Sequence, residues 1–261
     1  MTHTVNASPI VRFVQRRSTG VVHAAVALLA ALALGPRPLA FGEPWGGLAI
    51  AAPMSNAATA FGSASLVSPD LFDEIHARTK IAEAQRQTIR ARFTETTVSS
   101  LLVKPVVSKG TLIGAKPARL LLTYTSPDRR TMLMDGNRLV IIRAGQAEGE
   151  RIDITEIMKR VNQYFVNATP DQLRKSFTVR AFIDPEVPGS YQVDLVPKRK
   201  QIRQGLERLQ IWVTREPLLL SQIKITFAGG DTDTVRIEDA ELNVPLPPHA
   251  FDVDMAAARQ K

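Results

Sequence analysis

Two histidines, His76 and His249, come first in a search for chemistry, because imidazole exchanges protons near neutrality. His76 sits in a helical pattern, and His249 follows Pro247-Pro248. Neither has a serine or aspartate partner at a motif spacing. The patterns G-x-S-x-G and H-E-x-x-H and a glycine-rich phosphate loop are all absent. The pairs Asp73-Glu74 and Glu238-Asp239 read as solvated surface charge. The chain has no cysteine, which excludes disulfides, thiolate metal sites and a lipid-modified N-terminal cysteine. These residues predict a protein without enzymatic activity and without a metal or other cofactor.

The remaining chemistry is charge and apolar surface. The formal charge of +8 is inflated by the first 42 residues, which hold four Arg and no Asp or Glu. The rest carries 29 basic and 25 acidic residues, or +4. That is too weak a field, with too few aromatics, for nucleic acid. Lys198, Arg199, Lys200 and Arg203 cluster after a strand that ends at Pro197. They read as a solvated hairpin loop, or as a docking patch for anionic lipid headgroups or a transporter. Leu112, Leu120, Leu122, Tyr124, Met132, Met134, Ile141, Ile211 and Ile223 lie in β-patterned segments, and Met158 in a helical one. They fit an ordinary core or the wall of a lipid cavity, where each buried methylene contributes about 0.8 kcal/mol. Periodicity does not separate the two, although methionine adapts well to irregular guests.

Several elements must position these residues. Residues 1–42 read as an export signal: Arg12, Arg16 and Arg17, an apolar run from Gly20 to Leu34, then Ala40-Phe41-Gly42. The run is shorter than the roughly 20 residues a membrane span needs. Residues 43–67 form an Ala/Ser-rich leader, 68–255 one folded domain and 256–261 a tail. Ser68-Pro69-Asp70 predicts a helix start, with Leu71, Phe72, Ile75, Ile81 and Ala82 at helical spacing and an end near Gln87. From Ile89 the period becomes two. Strands are expected near 106–115, 118–125, 130–135, 138–143, 177–183, 190–196, 206–214, 218–227, 232–243 and 250–253. Residues 153–164 predict a second helix. Thr169-Pro170-Asp171-Gln172 opens a short third one with a capping box. The class is mostly β (α+β): a strongly curved antiparallel sheet, or incomplete barrel, of 10–11 strands, with 2–3 helices closing an apolar cavity.

The stretch 104–136 carries Gly110, Leu112, Pro117, Tyr124, Pro127, Asp135 and Gly136. In that order they resemble the G-x-L-x-x-x-x-P…Y-x-x-P…DG pattern of the LolA-type periplasmic lipoprotein carriers. Tyr191-x-Val193-x-Leu195-x-Pro197 is similar to a later strand of the family, and the Val244-Pro245 to Phe251 region to its closing segment. The resemblance covers roughly 70–253. It implies a periplasmic, monomeric carrier that shuttles lipoprotein acyl chains, or a related lipid, from inner to outer membrane. Its implied partners are an inner-membrane ABC transporter and an outer-membrane receptor. The family commonly places an Arg just before the motif proline, where it holds a lid closed and takes part in handover. Here that residue is Lys116, with a point charge instead of a planar fork; Arg119 lies three residues on. A second implied reading is an RseB-like lipid or lipoprotein sensor. Such relatives usually carry a second C-terminal domain, for which a chain ending at Lys261 is expected to leave no room.

Overall fold

The computed structural model of the protein describes residues 70–146 and 149–253. The export signal, the leader, the Ser68-Pro69 helix start and the tail 256–261 lie outside these residues.

Helix α1 (Leu71–Ala84) is capped by Asp70, whose Oδ1 accepts from the Phe72 N–H at 2.7 Å. Asp70, two residues after Ser68, therefore does the capping. The helix stops at Ala84, short of Gln87. Phe72 and Ile75 are buried, but Ile81 faces solvent and is not part of the apolar stripe.

Eleven strands follow. The first six are β1 (Thr88–Val98), β2 (Val106–Ala115), β3 (Arg119–Ser126), β4 (Arg130–Asp135), β5 (Arg138–Arg143) and β6 (Glu150–Asp153). A helical segment comes next: α2 (Thr155–Val161), a π turn (Asn162–Val166) and α3 (Pro170–Ser176). The chain then forms β7 (Phe177–Ile183), β8 (Ser190–Pro197), a single turn α4 (Lys200–Arg203), β9 (Leu206–Thr214), β10 (Leu220–Phe227) and β11 (Thr232–Leu242).

These strands make one antiparallel sheet in the order β6-β5-β4-β3-β2-β1-β11-β10-β9-β8-β7. Each half is a meander, and the long β1–β11 pairing joins them. The edge strands β6 and β7 are consecutive in the chain, yet they do not pair, so the sheet stays open. The helical segment between them bridges one edge to the other. No helix among the described residues is long and apolar enough to cross a membrane.

The core lies on one face of the sheet. In β1 the alternation buries Ile89, Ala91 and Phe93 and exposes Arg90 and Arg92. Leu112, Leu120, Leu122, Met132, Met134, Leu139 and Ile141 continue the same face across β2–β5. Leu195, Leu209, Ile223, Ile225, Val235 and Ile237 do so across the other half, and α1, α2 and α3 pack onto it.

Two elements depart from expectation. The four-residue β6 escapes pattern reading, because three of its residues, Glu150, Arg151 and Asp153, are charged. Residues 250–253 form a turn instead of a strand. His249 sits at φ 65°, and the Ala250 and Asp252 N–H groups are spent on turn bonds to the Pro247 carbonyl at 3.1 Å and the His249 carbonyl at 2.9 Å. Phe251 instead packs under the Arg119 guanidinium, 5.3 Å from its ring centre.

Candidate functional site

One face of α1 carries Phe72, Ile75, His76, Thr79 and Glu83, spaced so that they share a stripe. Between this stripe and the sheet lies a cavity of about 110 Å³. Its opposite wall is Val193 and Leu195 of β8 with Ile211 and Val213 of β9. Phe165 and Leu173 close one side, and Lys80 stands at the rim. The volume is well below the ~300 Å³ at which drug-sized pockets begin. It is near the ~150 Å³ of apolar cavities that stay dry and admit a small hydrocarbon. An acyl chain therefore enters only if α1 moves.

Both ends of α1 are fastened. At its start, the Arg174 guanidinium of α3 pairs with Asp70 and Asp73, each at 2.8 Å, and stacks over the Phe72 ring. Midway, His76 Nε2 donates to the Ala168 carbonyl at 3.2 Å, and Arg78 donates to the Tyr191 hydroxyl at 3.3 Å. Burial holds the His76 imidazole below its usual value, so it is neutral inside the apolar wall.

At the other end, Lys116 Nζ donates to the carbonyls of Glu83 at 2.7 Å and Ala84 at 3.2 Å. Those are among the last carbonyls of α1, at the negative end of its dipole, and the Glu83 carbonyl also accepts from the Arg86 N–H at 3.1 Å. Asn243 donates to the Gln85 carbonyl at 3.3 Å, and Arg86 to that of Leu218. Lys116 thus meets the C-terminus of α1 with a point charge.

The expected site residues separate in space. Lys116 touches the C-terminus of α1, whereas Arg119 is engaged with Phe251. Ile211 lines the cavity. Leu112, Leu120, Leu122, Tyr124, Met132, Met134, Ile141, Met158 and Ile223 are buried in the packed core and do not line it. Lys198 is tied to the Arg174 carbonyl at 2.7 Å, while Arg199, Lys200 and Arg203 project from the exposed α4 turn. The α1 wall residues carried their own signal in the 72, 75, 76, 79, 83 spacing. The β8–β9 wall did not, because only the landing point of α1 selects it.

A second polar group lies on the inner face, toward the β1–β2 end of the sheet. Glu95 and Asp233 are 2% and 1% exposed. Arg130 Nη2 donates to Glu95 at 3.0 Å, and its guanidinium lies 3.8 Å from the Tyr124 ring centre. Thr97 donates to Asp233 Oδ1 at 3.3 Å, whereas Oδ2 has no hydrogen-bond partner among the described residues. Burial, then the neighbouring Glu95 charge, pushes Asp233 well above the carboxylate range. Burial also raises Glu95, opposed by Arg130.

A carboxyl raised on folding stabilises fully below its unfolded value, near 3.9 for Asp. That contribution is lost as pH rises through the folded value. Asp233→Asn removes the loss. Its melting temperature relative to the parent is therefore expected to rise as pH increases above about 4 and to level off once the folded value is passed. A constant difference across that range would show that Asp233 does not titrate differently in the folded state.

The open eleven-stranded sheet thus holds α1, fastened at both ends, over a small apolar hollow. A family model described as "Outer membrane lipoprotein carrier protein LolA" matches residues 84–254. The chain belongs to that family. The match begins at the last residue of α1, so the rest of that helix precedes it. A search of the curated proteins found no sequence match. Among solved structures, a LolA superfamily protein from Nitrosomonas europaea is 9% identical, over 69% of this chain and 96% of that one, with a TM-score of 0.36. Mycobacterium tuberculosis lipoprotein LppX is 11% identical over 69% and 97%, with a TM-score of 0.45. The MucA/MucB complex structure from Pseudomonas aeruginosa is 12% identical over 70% of this chain and 60% of that one, with a TM-score of 0.41.

Proposed function

We propose that the protein is a periplasmic, non-enzymatic carrier. It takes the acyl chains of a lipid-modified protein, or a related lipid, beneath α1 and shuttles them from the inner to the outer membrane. The observation that carries this reading is helix α1, fastened at both ends, over a mostly apolar cavity. Family membership supports it. Thr79 Oγ1 adds a polar handle, being buried at the cavity with no hydrogen-bond partner among the described residues. An acyl ester carbonyl would accept from it. An ABC transporter in the inner membrane would load the carrier, and an outer-membrane receptor would unload it; neither requires a cofactor in the carrier itself.

The direct test is to purify the exported protein from its native periplasm and extract it for mass spectrometry. Co-purifying acyl lipid is the expected result. Lipid-free protein that also fails to bind a synthetic diacylated lipopeptide would sink the proposal.

Lys116 gives the mechanism its own test. Removing the cation in Lys116→Ala forfeits two charge-assisted hydrogen bonds, worth about 1.5–3 kcal/mol. Lid opening should become about 10–100-fold more frequent at 1.4 kcal/mol per decade. Amide exchange across residues 76–84 reads this out, and lipopeptide uptake should quicken in parallel. Lys116→Arg should restore protection, since an Arg fork can hold both carbonyls. Unchanged exchange in Lys116→Ala would remove Lys116 from the lid mechanism.

A further inference from the structure

The β1–β2 connection, residues 99–105, presents unusual surface for a water-facing hairpin. Leu101 is 52% exposed and Val103 fully so, and Val98, Val106 and Val107 beside them are also exposed. Apolar residues scattered singly on a surface need no explanation, but a contiguous exposed group marks an interaction site. The turn holds a defined form. Leu102 N–H donates to the Ser99 carbonyl at 3.0 Å, and Ser100 N–H to Asp231 Oδ1 at 3.2 Å.

The second bond leads to a neighbouring loop. Asp231 belongs to the β10–β11 turn, and there the Ala228 N–H donates to the Gly205 carbonyl, which ends the basic α4 turn. Strand order puts all three loops at one end of the sheet. β1 and β9 are three strand spacings apart, about 14 Å. Within residues 99–105, 198–205 and 228–231 there are five basic residues and one acidic. That acid, Asp231, is occupied in fixing the apolar turn.

We propose that this end of the sheet docks on an anionic phospholipid bilayer. Leu101 and Val103 insert at the headgroup boundary, and Lys104, Arg199, Lys200 and Arg203 meet the lipid phosphates. The charge decides the occupant. A protein partner would also accept the apolar tip, but the surrounding excess of positive charge, carried by the β1–β2 and β8–β9 loops, complements a uniformly negative plane. Each basic residue near such a surface strengthens attachment about fivefold. The apolar tip adds a part that salt does not screen. The inference is independent of what occupies the cavity beneath α1.

The test is co-sedimentation of the full chain with vesicles of equal parts phosphatidylglycerol and phosphatidylethanolamine, and with neutral phosphatidylcholine vesicles. The parent should bind the anionic vesicles and not the neutral ones. L101S/V103S and K200E/R203E should each weaken binding at least about tenfold, with circular dichroism unchanged. All variants share residues 1–69, so their ratios report the docking end. A V103W variant localises the contact: brominated acyl chains should quench its added fluorescence. Parent protein that does not sediment, L101S/V103S protein that binds undiminished, or unquenched V103W would each overturn the inference. Diacylated lipopeptide loading is measured on the same samples. Docking lost with loading intact strikes this inference alone, and loading absent with docking intact strikes the carrier reading alone.

Discussion

Arg130→Met is expected to cost about 3–5 kcal/mol of stability at neutral pH, the range for removing one partner of a buried ion pair. Arg130 is the cation that Glu95 and Asp233 share inside the sheet, and it also covers the Tyr124 ring. With methionine there, Glu95 loses its ion-pair partner beside Asp233, which burial already holds toward its protonated form. Glu95 must take up a proton or water must enter. Urea unfolding with a fixed m-value measures the loss. The triple variant Glu95→Gln/Arg130→Met/Asp233→Asn should recover most of it, because no charge then remains to be buried. A loss under about 1 kcal/mol in Arg130→Met would mean the cluster is solvated and contributes little.

Gly110→Ala is the second large effect, at about 3 kcal/mol, the upper part of the range for overpacking. Gly110 stands opposite Phe93 in the β1–β2 register, beside a shift in the β2–β3 register. A Cβ there would overlap the Thr123 carbonyl oxygen and lie 2.8 Å from two carbons of the Phe93 ring. The carbonyl belongs to a paired strand and cannot retreat without breaking the ladder. Gly205→Ala is the control: nothing lies within 4 Å of its added Cβ, and it should stay within about 0.5 kcal/mol of the parent. Equal denaturation midpoints for the two variants would show that Gly110 is not sterically required. The same contact gives a physical reason for the first glycine of the family motif in this chain.

Much of the sheet is legible in the sequence because its strands obey one rule, apolar inward and polar outward. Pro117, Pro127 and Gly136 mark the hairpin ends, so the β2–β4 region is readable almost residue by residue, whereas Gly110 lies inside β2. Thr169 and Gln172 likewise form the expected capping box of α3. The buried charges also left a trace. Glu95 falls in phase with Ile89, Ala91 and Phe93, and Asp233 with Val235 and Ile237. A carboxylate at an inward position of a regular strand is anomalous. Recognising that the two anomalies meet required the β1–β11 pairing, which joins residues more than a hundred positions apart. The cavity wall is the least legible part. Every inward residue of the sheet is apolar enough to serve, and which of them remain unfilled depends on where α1 and α3 come to rest. That is a property of packing between elements, absent from any one segment.

The unpaired β6 and β7 give the fold a mechanical property that a closed barrel lacks. In a sealed ring, widening the interior strains every ladder hydrogen bond around the circumference. Here the seam is spanned by helices, whose contacts are side-chain packing and a few ion pairs. The hollow can dilate by hinging these helices outward while all ten strand pairings stay intact. On the proposed carrier reading, guest size is set by how far the seam opens rather than by a fixed bore. A carrier built this way would admit chains of different length and number without altering its sheet.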